Sequence, residues 1–151
     1  MSQVAAGPVG DVLALQERMM ALVRAFGLHQ PDRTPCGQPV PVSEAHALAA
    51  LAGDVPMSQR ELGRWLRLQK STVSRLVHQL QEHGWVARGG DDRDGRVVRL
   101  SLTGQGRRVA GELAEARSAR FVRLIAAIPE DQRDAVLASL SVLVEAIHEQ
   151  P

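Results

Sequence analysis

The stretch that decides the fold is QKSTVSRLVHQLQEHGWV, residues 69–86. Its apolar residues recur at positions 73, 76, 77 and 80, which is the spacing of one face of an α-helix. The opposite face carries hydrogen-bond donors and no acid: Lys70, Ser71, Thr72, Ser74, Arg75, His78 and Gln79. The pattern therefore predicts a helix that packs on a core through one face and offers the other face to a partner.

A second, shorter helix is predicted directly before this one. Ser58 and, three residues later, Glu61 form the pattern of a capping box at its start. Three residues of this helix are predicted to point inward: Leu62, Trp65 and Leu66. Only a tight turn at residues 67–68 separates the two helices, so they must cross steeply, as in a helix-turn-helix motif.

After Gly84 the periodicity changes from helical to alternating. Residues 85–88 and 97–102 are predicted to be short strands, and residues 89–96 form a glycine-bracketed loop between them. A β-hairpin that follows such a helix is a wing.

Helices are also predicted at both ends of the chain. One covers residues 10–28, a second begins after the capping residue Thr103 and reaches about Ala127, and a third starts near Pro129. The second would be roughly 35 Å long, which exceeds what a small core can cover. The simplest partner for the apolar stripes of these helices is a second copy of the chain.

A proline-rich segment, residues 29–42, is predicted to lack regular structure because it contains four prolines and a glycine. Ser43 is predicted to cap a further helix, residues 44–52.

The net charge of +1 hides an uneven distribution. Residues 60–108 hold eleven basic and five acidic side chains, a balance of +6, whereas the remainder is acidic. A cationic segment on a neutral scaffold indicates a polyanionic partner.

A cytoplasmic protein without a membrane segment is expected, because the sequence has one cysteine, no apolar run of about 20 residues and no signal-peptide pattern.

Together these motifs resemble the MarR-type winged helix-turn-helix transcriptional regulators, over about residues 10–150. The similarity is carried by SQREL (58–62), QKSTVSRLV (69–77), DDRDGR (91–96), and the following Leu102-Thr103 and Gly106. It implies a mainly α fold with a small β-hairpin wing. Residues 43–103 would form the DNA-binding lobe, and residues 10–28 and 104–151 an intertwined dimerisation lobe.

The resemblance also implies a homodimer that represses nearby genes and is released by a small phenolic or hydrophobic effector, an oxidant or a metal. Two residues depart from the family pattern. Arg67 stands where glycine is usual in the turn, and Gln69 where a serine or asparagine cap is usual. Arg67 is therefore expected to need a left-handed backbone at a cost of about 1 kcal/mol.

Double-stranded DNA would explain the acid-free face, because compact donors at the start of a recognition helix fit the major groove. Asp94 and Arg96 match the family's Asp-x-Arg wing motif, which implies that Arg96, with Arg93 beside it, probes the minor groove. The predicted interface comprises Arg60, Gln69, Lys70, Ser71, Thr72, Ser74, Arg75, His78, Arg93, Asp94 and Arg96. Alternatively, the hydroxyls only cap the helix, and Asp94 and Arg96 only brace the loop.

Cys36 and His46 are the candidate sensor residues. Cys36 is the only thiol, and His46 lies near the position of the family's effector cleft. A metal site from these two and Glu44 would be short of ligands, so neither a metal site nor a cofactor is predicted. A redox- or metal-responsive sensor, or a protein-docking winged helix without DNA binding, stays open. The sequence contains no serine elbow or phosphate loop, so an enzyme is not expected.

Overall fold

The computed structural model describes residues 8–90 and 95–150 of the 151-residue chain. The elements within these residues are α1 (Pro8–Phe26), α2 (Val42–Leu51), β1 (Met57–Ser58), α3 (Gln59–Leu66), α4 (Lys70–Glu82), β2 (Val86–Gly90), β3 (Val98–Leu102), α5 (Gly104–Ala127) and α6 (Arg133–His148). A 3-10 turn, Glu130–Gln132, precedes α6. The predicted fold class, mainly helical with a small winged sheet, is confirmed.

Helices α3 and α4 form the predicted helix-turn-helix. The Ser58 side chain accepts a hydrogen bond from the Glu61 amide at 3.1 Å, and the Glu61 carboxylate accepts one from the Ser58 amide at 2.7 Å. This confirms the capping box. Leu62 of α3 is fully buried against the apolar face of α4 formed by Val73, Leu76, Val77 and Leu80.

The turn between the two helices has the left-handed backbone that the sequence predicted. Arg67 has φ 56° and ψ 41°, and its amide donates to the carbonyl of Arg64. The Leu68 amide donates to the Gly63 carbonyl at 3.0 Å, which completes a Schellman motif. The turn brings the helices so close that a Cβ at Gly63 would lie 3.2 Å from Val73 Cγ2.

The three strands form an antiparallel sheet in the order β1-β3-β2. Met57 pairs with Leu100, and Val86 pairs with Leu102. Strands β2 and β3 confirm the predicted hairpin. Strand β1 was not predicted, because two residues are too few to show an alternating pattern.

Two details of the prediction are wrong. Helix α2 begins at Val42 after Pro41, without a side-chain cap, so Ser43 does not cap it. Trp65 is 56% exposed rather than inward-facing. Because the tight turn places Gly63 against Val73, the buried face of α3 is formed by Leu62 and Gly63, and residue 65 is rotated outward.

The start of α5 joins the wing to the end of α4. The Thr103 hydroxyl donates to the Gly84 carbonyl at 2.6 Å and accepts from the Gly106 amide at 3.0 Å, so the predicted Thr103 cap is confirmed. The Thr103 amide donates to the Trp85 carbonyl at 3.0 Å. A Cβ at Gly106 would lie only 1.9 Å from that carbonyl oxygen, so the helix start needs a glycine there.

Beyond its first turns α5 leaves the core. Ala110 and Leu113 are buried, whereas Phe121, Val122 and Leu124 are exposed. Large apolar side chains of α1 and α6 are exposed as well. Within the described residues, no helix combines the length and apolar character needed to cross a membrane.

We expect Gly106→Ala to lower the free energy of unfolding by about 3 kcal/mol, at the upper end of the cost of overpacking, because backbone rather than a flexible side chain must move. Urea denaturation measures this change. Gly104→Ala is the control, since no atom lies within 4 Å of its added Cβ, and we expect a change within about 0.5 kcal/mol. If the two variants had equal free energies of unfolding, the close approach of Gly106 to the Trp85 carbonyl would be contradicted.

Candidate nucleic-acid interface

Helix α4 separates its apolar and polar residues as the sequence predicted. Lys70, Ser71, Ser74, Arg75 and His78 are exposed, while Val73, Leu76, Val77 and Leu80 are buried. Gln69 occupies the N-cap position, but its side chain makes no capping hydrogen bond. The helix therefore presents a row of donors to the outside.

The alternative role of the hydroxyl groups, capping the helix, receives no support from their contacts. Ser139 and Ser141 of α6 donate to carbonyls one turn earlier. In the described part of the chain, no such bond is made by the hydroxyls of Ser71, Thr72 or Ser74. These three donors are available to a partner.

An ion pair fixes the wing to α3. Arg99 of β3 donates from Nη1 to the Glu61 carboxylate at 2.7 Å. The pKa of Glu61 is lowered, mainly by the hydrogen bond from the Ser58 backbone; desolvation opposes this shift, and the Ser58 side chain and Arg99 add to it. Glu61 is thus ionised at neutral pH and serves both the helix cap and the wing.

A second polar link connects the other strand of the wing to the helices. Arg88 of β2 donates from Nε to Gln81 Oε1 at 2.9 Å and from Nη2 to Gln59 Oε1 at 3.1 Å. Because Gln81 belongs to α4 and Gln59 to α3, Arg88 ties both helices to the wing. Sequence reasoning missed Arg88 and Arg99, since their partners lie far away along the chain.

A groove of about 980 Å³ lies between α3, the following turn and the start of β3. Among the described residues, no acid lines it, whereas five basic side chains do: Arg60, Arg64, Arg67, Lys70 and Arg96. The fold therefore brings Arg60, Lys70 and Arg96 together from three segments, all of them predicted site residues. Arg64 and Arg67 were not assigned from the sequence. Two further predicted site residues, Arg93 and Asp94, lie outside the described residues.

Two histidines near the end of α4 face carboxylates. His78 Nε2 lies 3.3 Å from Glu82 Oε1 one turn later, and both side chains are exposed. His83 Nε2 lies 3.5 Å from Glu44 Oε2, and its ring stacks on Trp85 with centroids 4.4 Å apart. Glu44 is buried, and its Oε2 has no hydrogen-bond partner. This contact links α2 to the end of α4 and was not predicted.

The predicted sensor residues lie apart from the groove. Cys36 and His46 both line a separate cavity of about 200 Å³, together with Phe26, Ala45, Phe121 and two arginines of α5, Arg117 and Arg120. The Thr34 hydroxyl lies 2.9 Å from Cys36 Sγ. In residues 8–90 and 95–150, no three His, Cys, Asp or Glu side chains are grouped to hold a metal ion.

Comparison with known proteins is consistent with this geometry. Residues 38–97 match the model of the MarR family. An HTH-type transcriptional regulator of Mycobacterium leprae is 26% identical over 133 residues, which cover 88% of this chain and 90% of the relative.

Solved structures share the fold. FabT of Streptococcus pneumoniae in complex with DNA has a TM-score of 0.71 at 18% identity, covering 92% of this chain and 95% of FabT. The PcaV regulator of Streptomyces coelicolor in complex with its natural ligand has a TM-score of 0.60 at 22% identity, covering 97% and 98%.

The fold and the site define a winged helix-turn-helix DNA-binding protein. The resemblance to the MarR type that the motifs predicted is confirmed over residues 38–97, and the relatives that the chain matches are transcriptional regulators rather than enzymes.

Proposed function

We propose that this protein is a cytoplasmic, homodimeric repressor that binds a pseudo-palindromic operator and is released by a small effector. The observation that supports this proposal is that the exposed hydrogen-bond donors of α4 adjoin the basic groove. Lys70 belongs to both, and the described residues that line the groove include no acid. A surface of donors and cations without a carboxylate is suited to the phosphates and base edges of DNA.

The proposed role of each side chain on α4 follows from its length. The N-terminal residues of α4 would approach the base edges, where the short side chains of Ser71, Thr72 and Ser74 fit. Arg75, one turn into the helix and exposed, is long enough to reach a guanine or a phosphate. His78 would contact the same strand further along the helix.

The wing would enter the adjacent minor groove. Arg96, which lines the basic groove, would insert there, flanked by Arg93 and oriented by Asp94. The braces from Arg99 to Glu61 and from Arg88 to two glutamines hold the base of the wing and so reduce the cost of ordering it on DNA.

We expect Arg75→Ala to weaken operator binding by about 1–3 kcal/mol, because a bidentate contact to a base would be lost. Fluorescence anisotropy with a DNA fragment from upstream of the protein's own gene measures this change in affinity. Arg33→Ala is the control, since Arg33 is exposed in the α1–α2 segment and does not line the groove. If both variants bound the operator with the affinity of the parent protein, Arg75 would not be part of the interface. Operator binding that is absent or insensitive to salt would favour the protein-docking alternative.

A homodimer is supported by the exposed apolar surface of the terminal helices. On α1, α5 and α6, Leu13, Val122, Leu137 and Val142 are 55%, 62%, 55% and 66% exposed. Continuous apolar surface on three long helices exceeds what monomers normally leave in water. Residues 10–28 and 104–151 would form the dimerisation lobe, and two recognition helices would then lie about one turn of duplex, roughly 10 bp, apart.

We expect the purified protein to sediment as a dimer at micromolar concentration, and Leu137→Glu with Val142→Glu to shift it toward the monomer and to weaken operator binding. The charged side chains would have to be buried unpaired in the interface. Val55→Glu is a matched control, because Val55 is 77% exposed but lies between α2 and β1. A stable monomeric parent would refute the dimer.

The effector would bind in the cavity that contains Cys36 and His46. Its walls are largely apolar and aromatic, and two guanidinium groups border it. Arg120 already donates to the Phe26 carbonyl at 3.4 Å and lies 5.1 Å from the centroid of the Phe26 ring. Arg117 makes no hydrogen bond within the described residues. An aromatic carboxylic acid would match this apolar cavity with its cationic border.

We expect salicylate to release the operator complex, and Arg117→Gln to raise the required concentration about tenfold, since a charge-assisted hydrogen bond would be lost. Arg123→Gln, also on α5 but outside the cavity lining, is the control. Release by peroxide that Cys36→Ser abolishes, or release by zinc that His46→Ala abolishes, would instead support the redox or metal sensor.

A further inference from the structure

Arg67 is held in a conformation that favours glycine. Among the described residues it is the only residue other than glycine with a positive φ, at 56°. The conformation is required because the amides of Arg67 and Leu68 must both return to carbonyls of α3 to close the turn. A glycine would close the same turn without the steric cost that an L-residue bears there.

Within the described residues, no polar contact of the Arg67 side chain offsets that cost. Arg67 is exposed, and within residues 8–90 and 95–150 its guanidinium forms neither a hydrogen bond nor an ion pair. It lines the groove beside other basic side chains, and no acid among the described residues lines the groove with it. An anionic partner would supply the energetic gain that the contacts of the described residues do not.

We infer that Arg67 binds a DNA phosphate and that the groove holds the phosphodiester strand that runs between the recognition helix and the wing. This inference rests on the proposed function. If α4 lies in the major groove and the wing in the adjacent minor groove, the strand separating the two grooves must pass between them. The basic groove occupies that place, bounded by Arg64 and Arg67 on one side and Arg96 on the other.

Such a contact would position the helix rather than read sequence. Phosphate contacts fix the register of a protein on the duplex and are insensitive to base identity. Arg67 lies three residues before Lys70, the first residue of α4, and the Schellman turn makes that connection rigid. A phosphate bound by Arg67 would therefore set how deeply the start of α4 enters the major groove.

The test compares Arg67→Gln with Arg67→Lys. Both variants still place a residue other than glycine in the left-handed backbone conformation, and only the lysine keeps the positive charge. Operator and scrambled duplexes are titrated by fluorescence anisotropy between low and high salt. For Arg67→Gln we expect several-fold weaker binding to both duplexes and a salt slope smaller by about 0.9 per subunit. Arg67→Lys should retain the parent slope.

A third variant separates strain from binding. We expect Arg67→Gly to melt at or above the parent temperature, because the strain is relieved, and yet to bind DNA as weakly as Arg67→Gln. Arg33→Gln removes one charge outside the groove and should leave the salt slope unchanged. If Arg67→Gln kept the salt slope of the parent protein, or if Arg33→Gln lost as much affinity as Arg67→Gln, the inference about Arg67 would be wrong while the proposed function would stand. A parent protein that binds no duplex would overturn the proposed function itself.

Discussion

The contact between the Trp85 carbonyl and the start of α5 constrains the rest of the molecule. That one oxygen accepts the Thr103 amide and lies against Gly106, in a space where no Cβ fits. The end of α4, the first strand of the wing and the first turn of α5 therefore form one rigid junction. Because α5 continues outward for more than three further turns, the junction sets the direction of α4 relative to α5. Any dimer built on α5 would inherit the spacing between its two copies of α4 from this contact.

Charge is used in two different ways around the helix-turn-helix. Two acids of the described residues near this motif are engaged within the protein. Glu61 caps α3 and holds Arg99, and the buried Glu44 faces His83 at the end of α4. Five basic side chains line the groove, and no acid among the described residues does so. The contacts of Glu61 and Glu44 brace the frame, and the basic side chains of the groove give a positive potential of the kind that attracts a polyanion at long range.

Helix α2 lies between the cavity and the end of α4. Val42, Ala45 and His46 face the cavity, whereas the neighbouring Glu44 contacts His83 just after α4. Burying a carboxylate oxygen without a hydrogen-bond partner costs free energy, and Glu44 is held there 3.5 Å from His83. The short helix α2 thus contacts both the cavity and the end of α4.

The sequence by itself determined the elements and their order. The apolar spacing in residues 69–86, the Ser58 capping box, the Thr103 cap and the left-handed Arg67 are local properties, and the chain shows each of them before it folds. It also predicted the amphipathic recognition helix, because period and residue type are enough to define its two faces. Strand β1, the exposure of Trp65, the uncapped start of α2 and the pairing of Arg88 and Arg99 with distant partners were decided only by the tertiary structure. The groove that unites Arg64 and Arg67 with Arg96 belongs to the same group. The arginine pairings and the groove depend on the packing of α3 on α4 and of the wing on both, which no local pattern encodes.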